Sequence, residues 1–463
     1  MNLSPKDLLD VDHKALHCFE ALTEKRFTGV STDSRNAKPG NIFFAIRGEK
    51  YDGHKFIRDA FSSGASCVVV DERSDSREWR TIPAVVVSDT TKALGELARL
   101  YRQKFDIPFI AVAGSNGKTT TKEMIAAVLG KRYNVISTEK NFNNHVGVPQ
   151  TLFRLSLKHQ IAVVEIGTNH FGELEYLCNI LDPTHGVITN IGREHLEYFK
   201  TVIGAARAEG ELFRYLSLIG FGFVNADDNL VNQQAKYLKK KIKYGFSKSN
   251  LNVRGELLSL DRTGCATFRV KARKRKEFSV PMSIPGSHAA MNGLAAATIG
   301  LTFGISPVEI RRALGEFTAV GKRMEVVNLG PVTILNDSYN SNPDSVITAL
   351  ETLRSIKTDM KKVVVLADML ELGAAARREH ERIGKLISSM GFKYLLTHGT
   401  LARFINEKAN VELKIHYDKK EQLMECASKL IVGGGYILVK GSREMRMEEL
   451  VASLTERFRK KVA

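Results

Sequence analysis

The sequence predicts an α/β protein of three domains built on mainly parallel sheets. Three observations carry that expectation. At 463 residues the chain is longer than one hydrophobic core usually supports. From residue 107 onward, apolar runs of strand length alternate with helical patterns, as in parallel sheets wrapped by helices. The first of those runs ends in a Gly-rich turn that opens a helix. The expected divisions are 1–106, 107–318 and 319–463.

In the first segment, NIFFAI (41–46) and SCVVV (66–70) read as strands, and KALGELARLYRQKF (92–105) as a connecting amphipathic helix. The second segment places strands at 107–112, 161–166, 186–191 and 221–225. The third repeats the theme at 332–335, 362–366, 394–397 and 436–439, giving a Rossmann-like C-terminal domain. There is no internal repeat and no low-complexity linker.

Hydrophobic residues make up 43% of the chain and charged residues 26%, a soluble balance, and no apolar run reaches membrane-spanning length. The opening MNLSPKDLLDVDHK does not resemble a secretory signal, so a cytoplasmic location is expected. Cys18, Cys67, Cys178, Cys265 and Cys426 are scattered, which suits reduced thiols rather than a disulfide framework or a zinc site. The net charge of +17 concentrates in KARKRK (271–276) and KKKIK (239–243). Neither run interleaves aromatic residues, so solvated faces are expected, with a weak attraction to anionic lipid or nucleotide as the alternative. No nucleic-acid partner and no membrane insertion follow, and a monomer is expected.

The strongest local signal is AGSNGKTT (113–120), set after a strand and before a helix. The backbone amides of Gly114, Ser115, Asn116 and Gly117, with the helix N-terminus, would cradle phosphates. Lys118 would reach the terminal phosphates, Thr119 would ligand magnesium, and Thr120 would complete the loop. The general phosphate-loop pattern has Gly where this chain has Val112, so the loop is a shortened variant. Its alternative is a glycine turn with an incidental lysine.

The loop AGSNGKTTTK resembles that of the Mur ligases and their folylpolyglutamate synthase relatives, and further motifs match in order over about residues 30 to 448. NFNNHVGVPQ (141–150) resembles the family's asparagine-rich stretch, which marks Asn143 and Asn144 for substrate. Glu165 in VEIGTNHFGE and His195 in NIGREHLEYF resemble its metal-associated positions. Asn292 ends GSHAAMN, a segment that resembles the adenine contact, although Ala289 replaces a usual Asn. Arg323 in GKRME resembles the arginine that reaches ATP from the third domain. NDSYNSNPDS (336–345) and LADMLELG (366–373) resemble the family branch that adds D-alanyl-D-alanine. The first is one residue off a double-aspartate opening, and Ala367 replaces a usual Gly. STDSR (31–35) and YDGHKF (51–56) resemble the UDP-sugar domain, which the folylpolyglutamate synthases lack.

The resemblance implies an ATP- and magnesium-dependent, ADP-forming ligase with a UDP-substrate domain, a central ATPase domain and a Rossmann-like domain. It would join D-alanyl-D-alanine to UDP-N-acetylmuramoyl-tripeptide through an acyl phosphate, in peptidoglycan synthesis for cell wall growth and division. Lys118, Glu165, His195 and Glu209 would act catalytically, with metal on Thr119, Glu165 and His195. Asn292, Arg323, Asp337, Tyr339 and Asn340 would meet ATP; Ser31, Ser34 and Arg35 would meet the uridine diphosphate. Asp337, Tyr339 and Asn340 also read as a polar turn before Pro343, and Asp52, Gly53 and His54 as a turn without a ligand. Glu209 stands where the family usually has a carbamylated lysine. It would supply a permanent carboxylate, or else lie on a helix surface. Rival readings are another amino-acid-adding ligase of the family and a nucleotide-dependent binding protein.

Overall fold

The computed structural model describes residues 3–22, 26–48, 51–74, 78–217 and 220–462. Its contacts divide into two compact units. One comprises 1–111, 133–168 and 172–185; the other comprises 112–132, 169–171 and 186–463.

The first unit holds a five-stranded sheet in the order Ala15–His17, Ala84–Val87, Cys67–Asp71, Asn41–Phe44 and Gly29–Ser31. Only the Ala15–His17 edge is antiparallel. The central strands are buried along their whole length, which explains why they read as unbroken apolar runs rather than alternating ones. The connecting helix spans Thr90–Arg102, and the Asp89 carboxylate caps its free amides at Thr91 (2.8 Å) and Lys92 (3.0 Å). Ala93, Leu94, Leu97, Ala98 and Tyr101 recur at three- and four-residue spacing and form its buried face. That face packs on helices Gly147–Leu152 and Glu173–Leu181, where Tyr101 donates to the Leu155 carbonyl at 2.8 Å. Burying Leu97 contributes about 2 kcal/mol, and Asp89→Ala would remove about 1 kcal/mol of capping. In the same unit Val135–Ser137 pairs in parallel with Ile161–Glu165.

In the second unit a sheet runs in the order Phe278–Pro285, Cys265–Ala272, Val253–Leu260, Lys240–Gly245, Phe221–Asn225 and His185–Ile188. The three eight-residue antiparallel strands at one end are absent from the sequence reading. Only one face of Val253–Leu260 is covered, and it ends in a largely exposed stretch, so its apolar signal is weak. KARKRK spans the end of strand Cys265–Ala272 and the turn to the next, and Lys271 in the strand pairs with Glu256 at 3.0 Å. Lys241 of KKKIK donates to the Ala235 carbonyl at 2.8 Å. Both runs are thus partly neutralised or locally bonded faces.

A separate six-stranded sheet orders Glu325–Leu329, Val332–Asp337, Gly435–Lys440, Lys362–Ala367, Tyr394–His398 and Leu413–Tyr417, parallel except at the first pair. One face packs a core that includes Val363, Val365, Ile437 and Val439 beneath Leu450 and Leu454 of helix Glu448–Val462. The carboxyl ends of these parallel strands carry Asp337, Asp368 and Lys440 or lead directly into them, the place where open α/β sheets bind ligands.

Candidate active site

Strand Phe109–Ala113 leads into the loop, and helix Lys118–Leu129 leads out. Gly114 and Gly117 hold φ of +118° and +77°, a region that favours glycine. A Cβ on Gly114 would lie 2.3 Å from Thr189 Oγ1, so this position has no room for a side chain. Gly117 caps the helix without a side-chain acceptor, which leaves the first helical amides available to an anion. The loop is braced from below: Asn116 N–H donates to Asn190 Oδ1 at 3.0 Å. Its carbonyl accepts from Thr189 Oγ1 at 2.7 Å and from Asn190 Nδ2 at 2.8 Å.

Two buried carboxylates adjoin this loop. Glu194 Oε1 accepts from Ser115 Oγ at 2.5 Å, and its Oε2 lies 3.6 Å from Lys118 Nζ. Glu209, fully buried at the end of helix Val202–Glu209, accepts the Gly114 N–H at 2.7 Å through Oε2. Its Oε1 is buried without a hydrogen-bond partner. Burial, and then the Glu194 carboxylate, push the Glu209 carboxyl well above its usual range, against the pull of Lys118. Lys118 Nζ also donates to the Gly114 carbonyl. The amide and carbonyl of one glycine are therefore gripped by Glu209 and Lys118. Glu209 is not a helix-surface residue; one of its oxygens supports the loop.

His195 adopts φ +44° at the head of helix Leu196–Phe199. Its Nδ1 lies 2.8 Å from Glu371 Oε2, without hydrogen-bond alignment. That contact holds the Glu371 carboxyl below its usual range, against burial. Glu371 lay inside the LADMLELG segment, but its partner 176 positions away could not be read from local spacing.

Asn292 is 7% exposed on helix Ser287–Thr302, and its side chain lies against Gly117, about 3.0 Å from where a Cβ would stand. Arg323 stacks over the Tyr339 ring at 3.7 Å. Asp337 Oδ2 accepts from Lys440 Nζ at 2.5 Å, and its Oδ1 accepts from Met324 N–H at 3.0 Å. Lys440 also donates to the Asn340 carbonyl at 2.9 Å. Arg323, Asp337, Tyr339 and Asn340 thus form one cluster, pinned by a lysine only 2% exposed. Sequence reasoning missed Lys440 and Glu194. The usable signal for Lys440 was a lysine closing the apolar run YILV, since a buried ammonium needs a partner.

The first unit places its own residues together. Glu165, 1% exposed at the end of its strand, accepts from Asn143 Nδ2 at 2.8 Å through Oε1. Its backbone N–H donates to Thr138 Oγ1 at 2.9 Å, while Oε2 is buried without a hydrogen-bond partner. Asn144 Oδ1 accepts from the Val146 and Gly147 amides, so that oxygen is occupied locally. Ser31 Oγ donates to the Asp33 carbonyl at 2.8 Å. Arg35, 86% exposed, bonds Asp33 at 2.9 and 2.7 Å, and Ser34 begins a short 3-10 turn there. Thr32 Oγ1 accepts from Gln150 Nε2 at 2.8 Å, which ties this segment to the asparagine-rich stretch. Asp52, Gly53 and His54 form a structural turn. His54 Nδ1 meets Asp52 at 2.6 Å and its Nε2 accepts the Asp71 N–H at 3.0 Å.

Magnesium takes oxygen donors, and each unit carries one. Thr119 Oγ1 and Glu165 Oε2 are buried oxygens with no hydrogen-bond partner, and hard oxygens suit this ion. Among the described residues no three His, Cys, Asp or Glu side chains converge on a metal position. Magnesium needs no such cage, because it keeps waters and takes substrate phosphates.

Residues 112–300 match the Mur ligase middle domain, 322–443 the Mur ligase glutamate ligase domain, and 26–102 the Mur ligase family catalytic domain. The chain belongs to the Mur ligase family. This Mur ligase is 35% identical over 433 residues to the UDP-N-acetylmuramoyl-tripeptide--D-alanyl-D-alanine ligase of Bacillus subtilis, covering 92% of this chain and 93% of that one. The Escherichia coli protein of the same name is 34% identical over 431 residues, with coverage of 92% and 93%. Among solved structures, MurF from Acinetobacter baumannii superposes with a TM-score of 0.90 at 28% identity, covering 98% and 99% of the two chains. MurF from Thermotoga maritima, solved in complex with ADP, gives 0.83 at 23% identity over 94% and 98%, a likeness of fold. The three-domain α/β architecture is that of these ligases.

Proposed function

We propose that this Mur ligase joins D-alanyl-D-alanine to UDP-N-acetylmuramoyl-tripeptide at the expense of ATP, a step of peptidoglycan precursor synthesis in the cytoplasm. The observation that carries the proposal is the braced phosphate loop, with Lys118 at its helix N-terminus, in a chain whose near-full-length relatives bear that activity in their names. Segments 1–106, 107–318 and 319–463 would serve UDP-substrate, ATP and ligation respectively.

In the chemistry proposed, a carboxylate oxygen of the tripeptide attacks the γ-phosphorus of ATP and ADP leaves. The amine of the dipeptide then attacks the acyl carbon, and phosphate departs with the carboxylate oxygen. Such transfer asks the protein chiefly for positioning and charge neutralisation. The amides of Gly114, Ser115 and Asn116, expected to cradle phosphate, are instead bonded to Glu209 and Asn190. Lys118 and the amides at the helix start, 118–120, would hold the phosphates, with Glu209 fixing the Gly114 peptide. Thr119 and Glu165 would hold one magnesium and His195 a second, to neutralise phosphate charge; Asn143 would orient Glu165 for that role. Asn292 would meet adenine, and Arg323, Asp337, Tyr339 and Asn340 the rest of the nucleotide. Ser31, Ser34, Arg35, Asn143 and Asn144 would serve the UDP-linked substrate.

Phosphate release from ATP tests the proposal. It should require both UDP-muramoyl-tripeptide and D-alanyl-D-alanine and give a product heavier by the dipeptide. Release that ignores the dipeptide but responds to another amine would move the chain to another specificity within the family.

A further inference from the structure

Residues well beyond the loop in sequence reach back to touch it. Asn342 and Asp344 lie at the start of helix Pro343–Ser355, where Asn342 caps the helix by accepting the Ser345 N–H at 2.8 Å. The Asn342 Nδ2 donates to Asn116 Oδ1, in the phosphate loop, at 2.9 Å. The Asp344 carboxylate takes Arg193 at two points. Its Oδ2 accepts the backbone N–H and its Oδ1 the guanidinium, each at 2.5 Å. The approach requires the neighbouring glycine, since a Cβ on Gly192 would lie 2.7 Å from Asp344 Oδ2. Arg193 precedes Glu194, which holds Ser115, and Gly192 N–H donates to the same Ser115 hydroxyl at 2.8 Å.

We propose that Asn342 and Asp344 form a latch through which the C-terminal sheet fixes the phosphate loop, making Asp344 a positioning residue for nucleotide use. Two independent contacts run from one helix N-terminal turn to one loop. One goes directly to Asn116; the other goes through Arg193 and the Gly192 amide to Ser115. A surface ion pair alone would contribute little. Here the carboxylate also accepts a backbone amide, so its loss loosens the Arg193 peptide as well as the guanidinium, which keeps Glu379 at 3.9 Å. The latch rests on the reading of the loop as an ATP site only for its consequence, not for its geometry.

The test is hydrogen exchange of the full-length protein at amides 114–120, without nucleotide, in wild type, Asp344→Asn, Arg193→Ala and the double variant. Asp344→Asn should speed loop exchange about tenfold, and Arg193→Ala, which keeps its backbone N–H for Asp344, by less. The double should be no faster than Asp344→Asn, because both side chains serve one joint. Asn342→Asp, which keeps the capping oxygen for Ser345 and removes the Nδ2 donor to Asn116, should likewise speed loop exchange through the other contact, with little change in melting temperature. Steady-state kinetics on these variants should show kcat down about tenfold or more, with the affinity for ATP, measured by calorimetric titration, within about threefold. Loop exchange unchanged in Asp344→Asn, or additive losses in the double variant, would overturn the latch. A wild-type chain that fails to bind ATP would instead overturn the nucleotide reading, while loop exchange still decides the latch.

Discussion

The phosphate loop and the Ser31–Arg35 segment are both assigned to phosphate-bearing ligands, yet they are built differently. In the loop, Gly114, Ser115 and Asn116 are each bonded to residues 73 to 95 positions away, and two of those partners are buried carboxylates. In the N-terminal segment the bonds are local, from Ser31 and Arg35 to Asp33, and the arginine faces solvent. A loop that must hold a transferring phosphoryl group is rigid before the ligand arrives, because preorganised dipoles cost nothing at the moment of reaction. A segment that only binds a substrate can let its arginine exchange an aspartate for a phosphate.

That contrast can be broken by substitution. Lys118→Ala removes the one cation at the loop and should lower kcat about a thousandfold, measured by phosphate release, with folding intact. Glu165→Gln, which keeps the shape but removes the charge, should lower kcat roughly a hundredfold and raise the magnesium needed for half-maximal rate. An unchanged magnesium requirement would remove Glu165 from the metal site. Gly114→Ala tests rigidity: the Cβ meets Thr189, and φ +118° disfavours it, so the urea midpoint should fall by the equivalent of about 1–3 kcal/mol. Arg35→Ala should raise KM for the UDP-linked substrate about three- to tenfold and leave kcat and the melting temperature unchanged. A fall in kcat there would mean that the exposed segment acts in the transition state and that the two regions are alike after all.

The same contrast explains what the sequence disclosed. The loop was legible because its chemistry demands glycines, a lysine and a threonine at fixed spacing between a strand and a helix. Glu165 and the turn before Pro343 were marked by their resemblance to family motifs, Glu165 also by its place after an apolar run; from its own residues the turn read only as polar. Glu194 was not, because beside His195 it reads as an ordinary charged residue, and its link to Ser115 spans 79 positions. Lys440 meets Asp337 across 103 positions, and Arg193 meets Asp344 across 151. The three antiparallel strands between 253 and 285 escaped because a sheet partly open to solvent needs few apolar residues.

Oxygen labelling tests most directly whether phosphate passes from ATP at the loop to a substrate carboxylate. The tripeptide substrate would carry oxygen-18 in its terminal carboxylates, and the released phosphate would be weighed after one turnover with ATP and D-alanyl-D-alanine. One labelled oxygen in the phosphate and none in ADP is expected. Unlabelled phosphate, or label in a nucleotide, would contradict it.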